Sequence, residues 1–290
     1  MSNLNVKYKK FPSALEIQTA SYCNSRCIIC PHASISKKEN SGIMSMGLFK
    51  KIIDQVKANP GIKIIPYLNN EPFLDPFFLD RLKYININCK NSEIEISTNV
   101  SKLDKGMQEK LLGTEIGELR LSLFGFSEEG HKQAMPGLNW AKVKKNLDDL
   151  LNFKSLRKNI KKISLIMIDY PGLKKEDMRL AKNYCKKHDI EFNFWGFLDR
   201  AGNVVNFSNR IMKKNTKGCE QNRPLERMHI TFKGDVILCS MDWKWEYKIG
   251  NLNKDTIETV WNSKKYDKFR EAIYLGENPP DLCKKCKLSL

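Results

Sequence analysis

No stretch of this 290-residue chain approaches the roughly 20 apolar residues needed to cross a bilayer. Its most apolar segment, residues 163–168, has the length of one buried strand. The first ten residues, MSNLNVKYKK, are basic but have no apolar segment behind them, so no secretory signal is expected and the chain reads as cytoplasmic. Acidic residues are outnumbered, 33 against 50 basic ones, for a net charge of +17. The excess does not point to a nucleic-acid groove. The basic residues are spread along the whole chain and are mostly Lys rather than the Arg suited to phosphate and base forks. Helix-turn-helix, zinc-finger and RNP signatures are all missing, so the charge reads as a Lys-rich surface that would also attract an anionic substrate.

Apolar residues make up 41% of the chain, enough for one large core and a smaller lobe. Nine cysteines are many for a compartment where disulfides are rare and clustered thiols bind metal or do redox chemistry. Three crowd into residues 23–30, four lie in the last quarter, and only Cys89 and Cys185 stand alone. Cys185 falls in an amphipathic helical pattern and reads as a buried thiol; Cys89 precedes the third strand, at the end of the fold away from the chemistry.

Strand-like segments at 14–19, 63–68, 93–98, 118–123, 162–168 and 190–197 alternate with helical patterns at 47–58, 76–84, 101–112, 140–153 and 174–188. That alternation predicts a parallel sheet with crossover helices. Several strands carry polar residues at period two: Glu16 and Gln18; Glu93, Glu95 and Ser97; Arg120 and Ser122. A packed barrel centre prefers branched apolar residues. The pattern predicts a wider, open barrel with a polar lumen; the alternative is polar side chains facing solvent on edge strands. After Gly202 the rhythm changes. Residues 229–232 and 236–239, joined by Lys233-Gly234-Asp235, read as a hairpin, followed by one helical stretch over 256–273 and a cysteine-containing tail.

Cys23, Cys27 and Cys30 form a C-x3-C-x2-C triplet directly after the first strand. Three thiolates on one loop can hold three irons of a 4Fe–4S cube and leave the fourth open. Zinc is the rival, but a structural zinc takes four ligands, and His32 is the only obvious fourth. The triplet and its position resemble the signature loop of the radical S-adenosylmethionine (radical SAM) superfamily. Other segments share the resemblance. Asn69-Asn70-Glu71-Pro72 follows strand two, where the family usually has Gly-Gly-Glu-Pro at the methionine amino group; the two Asn depart from the glycines, while Glu71 keeps the carboxylate. Ser97-Thr98-Asn99 resembles the ribose-contacting segment, and Ser122, before Gly125, a contact to the methionine carboxylate. The resemblance spans residues 15–203. It implies a cluster whose open iron binds S-adenosylmethionine, reductive cleavage to a 5′-deoxyadenosyl radical, and hydrogen abstraction from a substrate.

Cys219, Cys239, Cys283 and Cys286, with Ile249-Gly-Asn-Leu252 and residues 257–261 between them, resemble the shortened SPASM, or Twitch, extension that binds one auxiliary 4Fe–4S cluster. Four thiolates would saturate that cluster and suit it to electron transfer; a structural zinc ribbon is the alternative. The chain is therefore read as an α/β protein, a partial (β/α)6 barrel over 1–205 with a small C-terminal hairpin-plus-helix Twitch domain over 206–290.

Arg200, just beyond the last barrel strand, is the candidate substrate contact, with surface pairing to Asp199 as the alternative. Trp195 and Phe197 share a strand face and read as core aromatics, with walls of the pocket as the alternative. His32 follows the cluster loop, where it could donate to a ligand or simply be solvated; His131 and His188 receive no role. The expected reaction is hydrogen abstraction from a small polar metabolite, then two-electron oxidation. The carbohydrate or aminocyclitol substrate class is carried over from members of the family with this minimal layout. The family also implies an external one-electron reductant such as flavodoxin or ferredoxin. Epimerisation and peptide maturation are alternatives within the family, and a nucleic-acid-binding iron–sulfur or zinc protein is the alternative outside it.

Overall fold

The structure, a computed structural model, describes residues 7–35, 41–207 and 212–290; the first six residues of the basic N-terminal segment lie outside them. Six parallel strands form the core: β1 (Ala14–Ile17), β2 (Lys63–Ile65), β3 (Glu93–Thr98), β4 (Ile116–Ser122), β5 (Ile160–Asp169) and β6 (Glu191–Gly196). Each pairs with its neighbour in chain order, and β6 does not close back on β1. This is the expected open barrel. Among the described residues no helix is long and apolar enough to cross a membrane.

The crossover helices begin where the sequence supplies caps. Ser45 accepts from the Leu48 amide ahead of Met46–Lys57, Asp104 from Met107 ahead of Lys105–Lys110, and Asn139 from Lys142 ahead of Trp140–Asn152. Leu15, Ile17, Ile64, Ile96, Leu119 and Leu121 point from the strands into one core with Phe49, Ile53, Leu82 and Leu147 of the helices. Burying each such side chain contributes about 1.5–3 kcal/mol. The alternate strand positions face the other way: Glu16, Glu95, Ser97, Arg120 and Ser122 line the lumen as expected, whereas Glu93 at the start of β3 is exposed and Gln18, just past β1, accepts from the Phe232 amide.

The C-terminal lobe continues the same sheet. Strand β7 (Arg227–Ile230) runs parallel to β1, with Glu16 opposite His229, and is followed by antiparallel β8 (Asp235–Ile237) and β9 (Lys248–Asn251). The β7–β8 turn needs Gly234, whose φ is +82° and whose missing Cβ would meet Asn253 at 2.6 Å. The single helical stretch expected over 256–273 is two helices, Ile257–Trp261 and Lys264–Tyr274. The break is local chemistry: Ser263 caps the second helix by accepting from the Tyr266 amide.

Candidate functional site

The cysteine loop after β1 is pinned from outside itself. The Arg26 amide donates to Pro136 O (2.7 Å) and the Ile28 amide to Ala134 O (3.1 Å). Gly137, at φ +95°, lets this second segment approach Asn24 O to a distance where a Cβ would sit at 3.0 Å. Cys23, Cys27 and Cys30 are free, half-buried thiols. Burial pushes Cys23 up to about 12, with Glu71 and Cys30 adding to it, and likewise raises Cys27 and Cys30. Thiols held this way stay protonated until a metal displaces the proton. His32 is buried and its Nε2 donates to Ser21 O (3.0 Å); it packs edge-on to Trp243, so it braces the loop's C-terminal side and is not solvated.

The strand-end segments meet beside this loop. Glu71, only 2% exposed, accepts from Thr98 Oγ1 (2.7 Å), Asn99 N (2.8 Å) and Phe73 N (3.3 Å). Burial still pushes its carboxyl up to about 7, against those three donors. Asn99 Nδ2 donates to Asn24 Oδ1 (2.9 Å), tying the segment to the cysteine loop, and Ser97 and Ser122 share a hydrogen bond of 2.8 Å. Asn69, Asn70, Glu71, Ser97, Thr98, Asn99 and Ser122 all line one cavity of about 920 Å³, as do the three cysteines. Asn70 Oδ1 accepts from the Leu68 amide, while its buried Nδ2 has no partner among the described residues. The buried thiol triplet, the adjoining cavity and that unpaired donor fit an open-sited cluster with a polar ligand beside it.

Deeper in the lumen, Glu95 gathers Arg120 Nη1 (2.5 Å), Tyr67 Oη (2.8 Å) and Lys63 Nζ (3.3 Å). Arg120 also donates to Glu118 (2.9 Å) and lies 5.5 Å from the Trp195 ring centre. Across the barrel Glu16 pairs with Arg227 (2.9 Å) and faces His229 Nε2 (3.5 Å). Burial opposes its charge, but His229, Arg223 and Arg227 outweigh it and hold the carboxyl well below the usual range.

Trp195 is not a core residue, whereas half-buried Phe197 packs against the small core cluster of Ile29, Ile166 and Ile168. Trp195 is 43% exposed and both line the cavity, because β6 is the edge of the sheet. Cys185 is buried as expected; Cys89 is buried too, with its thiol facing Ile53 O.

The second cysteine set gathers around the C-terminal lobe. Cys239 follows β8, Cys283 and Cys286 share one turn, and Cys219 bridges to Ser289. Burial raises Cys239, Cys283 and Cys286, the last to about 11, and the four thiols act on one another electrostatically. Among the described residues the thiols of neither set close on a single ion-sized point; a four-iron cube would separate its ligands by its own width. Arg200 stands between the sets. It is half-buried at φ +54°, with Asn203 Nδ2 donating to its carbonyl (2.7 Å). Burial depresses its guanidinium, and the charges acting on it include Cys30 of one set and Cys239 and Cys286 of the other.

Residues 17–185 match the family model of the radical SAM superfamily. The chain belongs to that superfamily. It is thus a radical SAM enzyme, and residues 219–287 match a model described as an iron–sulfur cluster-binding domain, SPASM. That match favours iron–sulfur over zinc for the second cysteine set. The S-adenosyl-L-methionine-dependent 2-deoxy-scyllo-inosamine dehydrogenase of Niallia circulans is 23% identical over 290 aligned positions, covering 96% of this chain and 93% of the relative. Among solved structures, BtrN in complex with AdoMet and 2-DOIA superposes with a TM-score of 0.62 at 19% identity, over 97% of this chain and 94% of that one. Streptococcus suis SuiB bound to its precursor peptide SuiA gives 0.73 at 15% identity, over 97% and 71%. At such identities the two structures speak for the fold.

Sequence reasoning missed the C-terminal lobe's share of this radical SAM cavity: Glu220, Gln221, Arg223, Arg227, Ser240 and Lys287. Only the β1–β7 pairing brings them there, and no local signal announces it.

Proposed function

We propose that the enzyme oxidises a secondary alcohol of a small polyhydroxylated metabolite, an aminocyclitol or a related carbohydrate, to the ketone. In this reading Cys23, Cys27 and Cys30 hold the cluster that binds S-adenosylmethionine, and Asn69, Asn70, Glu71, Ser97, Thr98, Asn99 and Ser122 surround that cofactor. Cys219, Cys239, Cys283 and Cys286 hold a second, fully ligated cluster, and Arg200 contacts the substrate between them. The barrel over 1–205 and the Twitch lobe over 206–290 each supply one cluster, a division supported by the separate family matches to 17–185 and 219–287.

The observation that carries the reading is the position of Arg200, on the wall of the cavity that Cys23, Cys27 and Cys30 line together with Arg223 and Ser240 of the C-terminal lobe, and within electrostatic reach of Cys239 and Cys286. Loss of two hydrogens from an alcohol breaks one C–H and one O–H bond and forms C=O, releasing a hydrogen atom, a proton and an electron. When bound, S-adenosylmethionine on the first cluster would supply the hydrogen acceptor and the second cluster the electron acceptor. The chain's own residues position and shield. Glu95, Tyr67 and Arg120 present acceptors and donors to hydroxyls, and Trp195 offers a flat wall to a ring. Epimerisation would need a thiol donor, and neither buried Cys89 nor buried Cys185 lines the cavity. Nine free thiols suit the cytoplasm, where a flavodoxin or ferredoxin would reduce the first cluster. The test is product mass from turnover with amino- and deoxy-inositols. A product two hydrogens lighter, with one S-adenosylmethionine consumed each time, is expected. Unchanged mass in ordinary water, with one deuterium gained in heavy water, would replace oxidation by epimerisation.

A further inference from the structure

Arg223 is the side chain whose surroundings the proposed reaction leaves unused. It opens the short helix Arg223–Glu226, between Cys219 and β7. Its guanidinium is held on two sides: Nε donates to Gln221 Oε1 (2.8 Å) and Nη1 to Ser240 Oγ (2.5 Å). The same Nη1 stands 4.0 Å from Cys239 Sγ. On the lumen side it acts on Glu16, but that carboxylate already has Arg227 at 2.9 Å and His229 at 3.5 Å. Pairing with Glu16 therefore does not explain why a guanidinium is fixed against a cysteine sulfur.

We propose that Arg223, positioned by Ser240 and Gln221, sets the reduction potential of the second cluster by donating to the Cys239 sulfur. The inference rests on the two-cluster reading of the proposed function. A cationic N–H donor aimed at a ligand sulfur is held more strongly when the cluster carries one more electron, so it favours the reduced state and raises the potential. Net charge and hydrogen bonds to sulfur are the protein's main means of setting such potentials. Arg200 provides the contrast: it lies within the influence of both cysteine sets, whereas the thiols coupled to Arg223 are Cys239, Cys219 and Cys286, all of the second set. Arg223 should therefore act on one cluster alone. A raised potential suits a cluster that takes an electron from the substrate side.

The test is potentiometric titration of the anaerobic, reconstituted full chain, monitored by electron paramagnetic resonance. S-adenosylmethionine marks the first cluster, because only that signal should respond to it. Arg223→Gln should shift the oxidised-to-reduced ratio of the second cluster at a fixed potential about tenfold toward the oxidised form, a fall of about 59 mV for one electron. The first cluster should not move. Arg223→Lys, which keeps the charge, should recover most of the shift, and Ser240→Ala should give a smaller fall in the same direction. Should Arg223→Gln fail to assemble its second cluster, Ser240→Ala carries the test, and an unmoved potential there overturns the inference. With about eight irons per chain, an unmoved second cluster, or equal movement of both clusters, overturns it while leaving the two-cluster reading intact. A wild-type chain that takes up only about four irons overturns both.

Discussion

Replacing Glu71 by Gln removes the carboxylate on which the cavity-lining strand ends converge. Its carboxylate accepts from Thr98 Oγ1, Asn99 N and Phe73 N, and its own amide donates to Tyr22 O beside the cysteine loop. All three donors fix the acceptor pattern: Thr98 and Phe73 approach Oε1 and Asn99 approaches Oε2. An amide has an acceptor for one side only, so its NH2 must face an N–H or O–H whichever way it turns. Leaving a buried donor without its acceptor costs about 1–3 kcal/mol, and the site is buried, so water cannot make up the loss. Because Thr98 and Asn99 line the cavity, the loss should fall on S-adenosylmethionine affinity, roughly ten- to hundredfold. Anaerobic titration calorimetry on reconstituted protein reads this directly, with iron content checked in parallel. Affinity within twofold of wild type at unchanged iron content would refute the reasoning.

Arg200→Ala should cut turnover roughly ten- to hundredfold through the lost charge-assisted contact while leaving S-adenosylmethionine binding nearly unchanged; equal losses in steady-state kinetics and calorimetry would make it a cofactor or folding residue. His131 tests the fold's pH dependence. Its ring is fully buried, lies 4.9 Å from the Trp140 ring, has no hydrogen-bond partner on either nitrogen among the described residues, and is pushed down by burial to about 4. The unfolded chain binds this proton more tightly, so the contribution is complete above the ordinary histidine value and falls as pH drops toward 4. The loss at pH 5.5 is about 1.4 kcal/mol. Urea unfolding at pH 7 and 5.5 should show that difference, and His131→Phe should remove it; an identical difference in the variant would clear His131 of the effect.

The sheet was legible wherever one strand's own pattern decides it. The residues 93–98 read as a strand are β3 without change, and five of the polar residues at period two, Glu16, Glu95, Ser97, Arg120 and Ser122, do line the lumen, because a covered parallel sheet leaves them nowhere else to go; Glu93 and Gln18 sit at strand ends and escape it. Features set by distant pairing were not legible. Trp195 reads as core because it is aromatic, yet it lies near the end of edge strand β6, is exposed and faces the cavity, the alternative the sequence also allowed. Arg223 and Arg227 carry no motif and enter the lumen wall only because β7 joins β1. The helix break at Ser263 was missed although its cause is local, since the apolar period runs across it while the serine caps the helix Lys264–Tyr274.

Release of 5′-deoxyadenosine under strong reductant connects the cysteine triplet to the chemistry with fewest steps between. Wild type, the Cys23→Ala/Cys27→Ala/Cys30→Ala variant and Cys239→Ala, each reconstituted anaerobically, should be compared with S-adenosylmethionine present. The triple variant should keep about four irons and release none, while Cys239→Ala should still cleave the cofactor. Release from the triple variant at the wild-type rate would mean that these three thiols do not hold the cluster that binds S-adenosylmethionine.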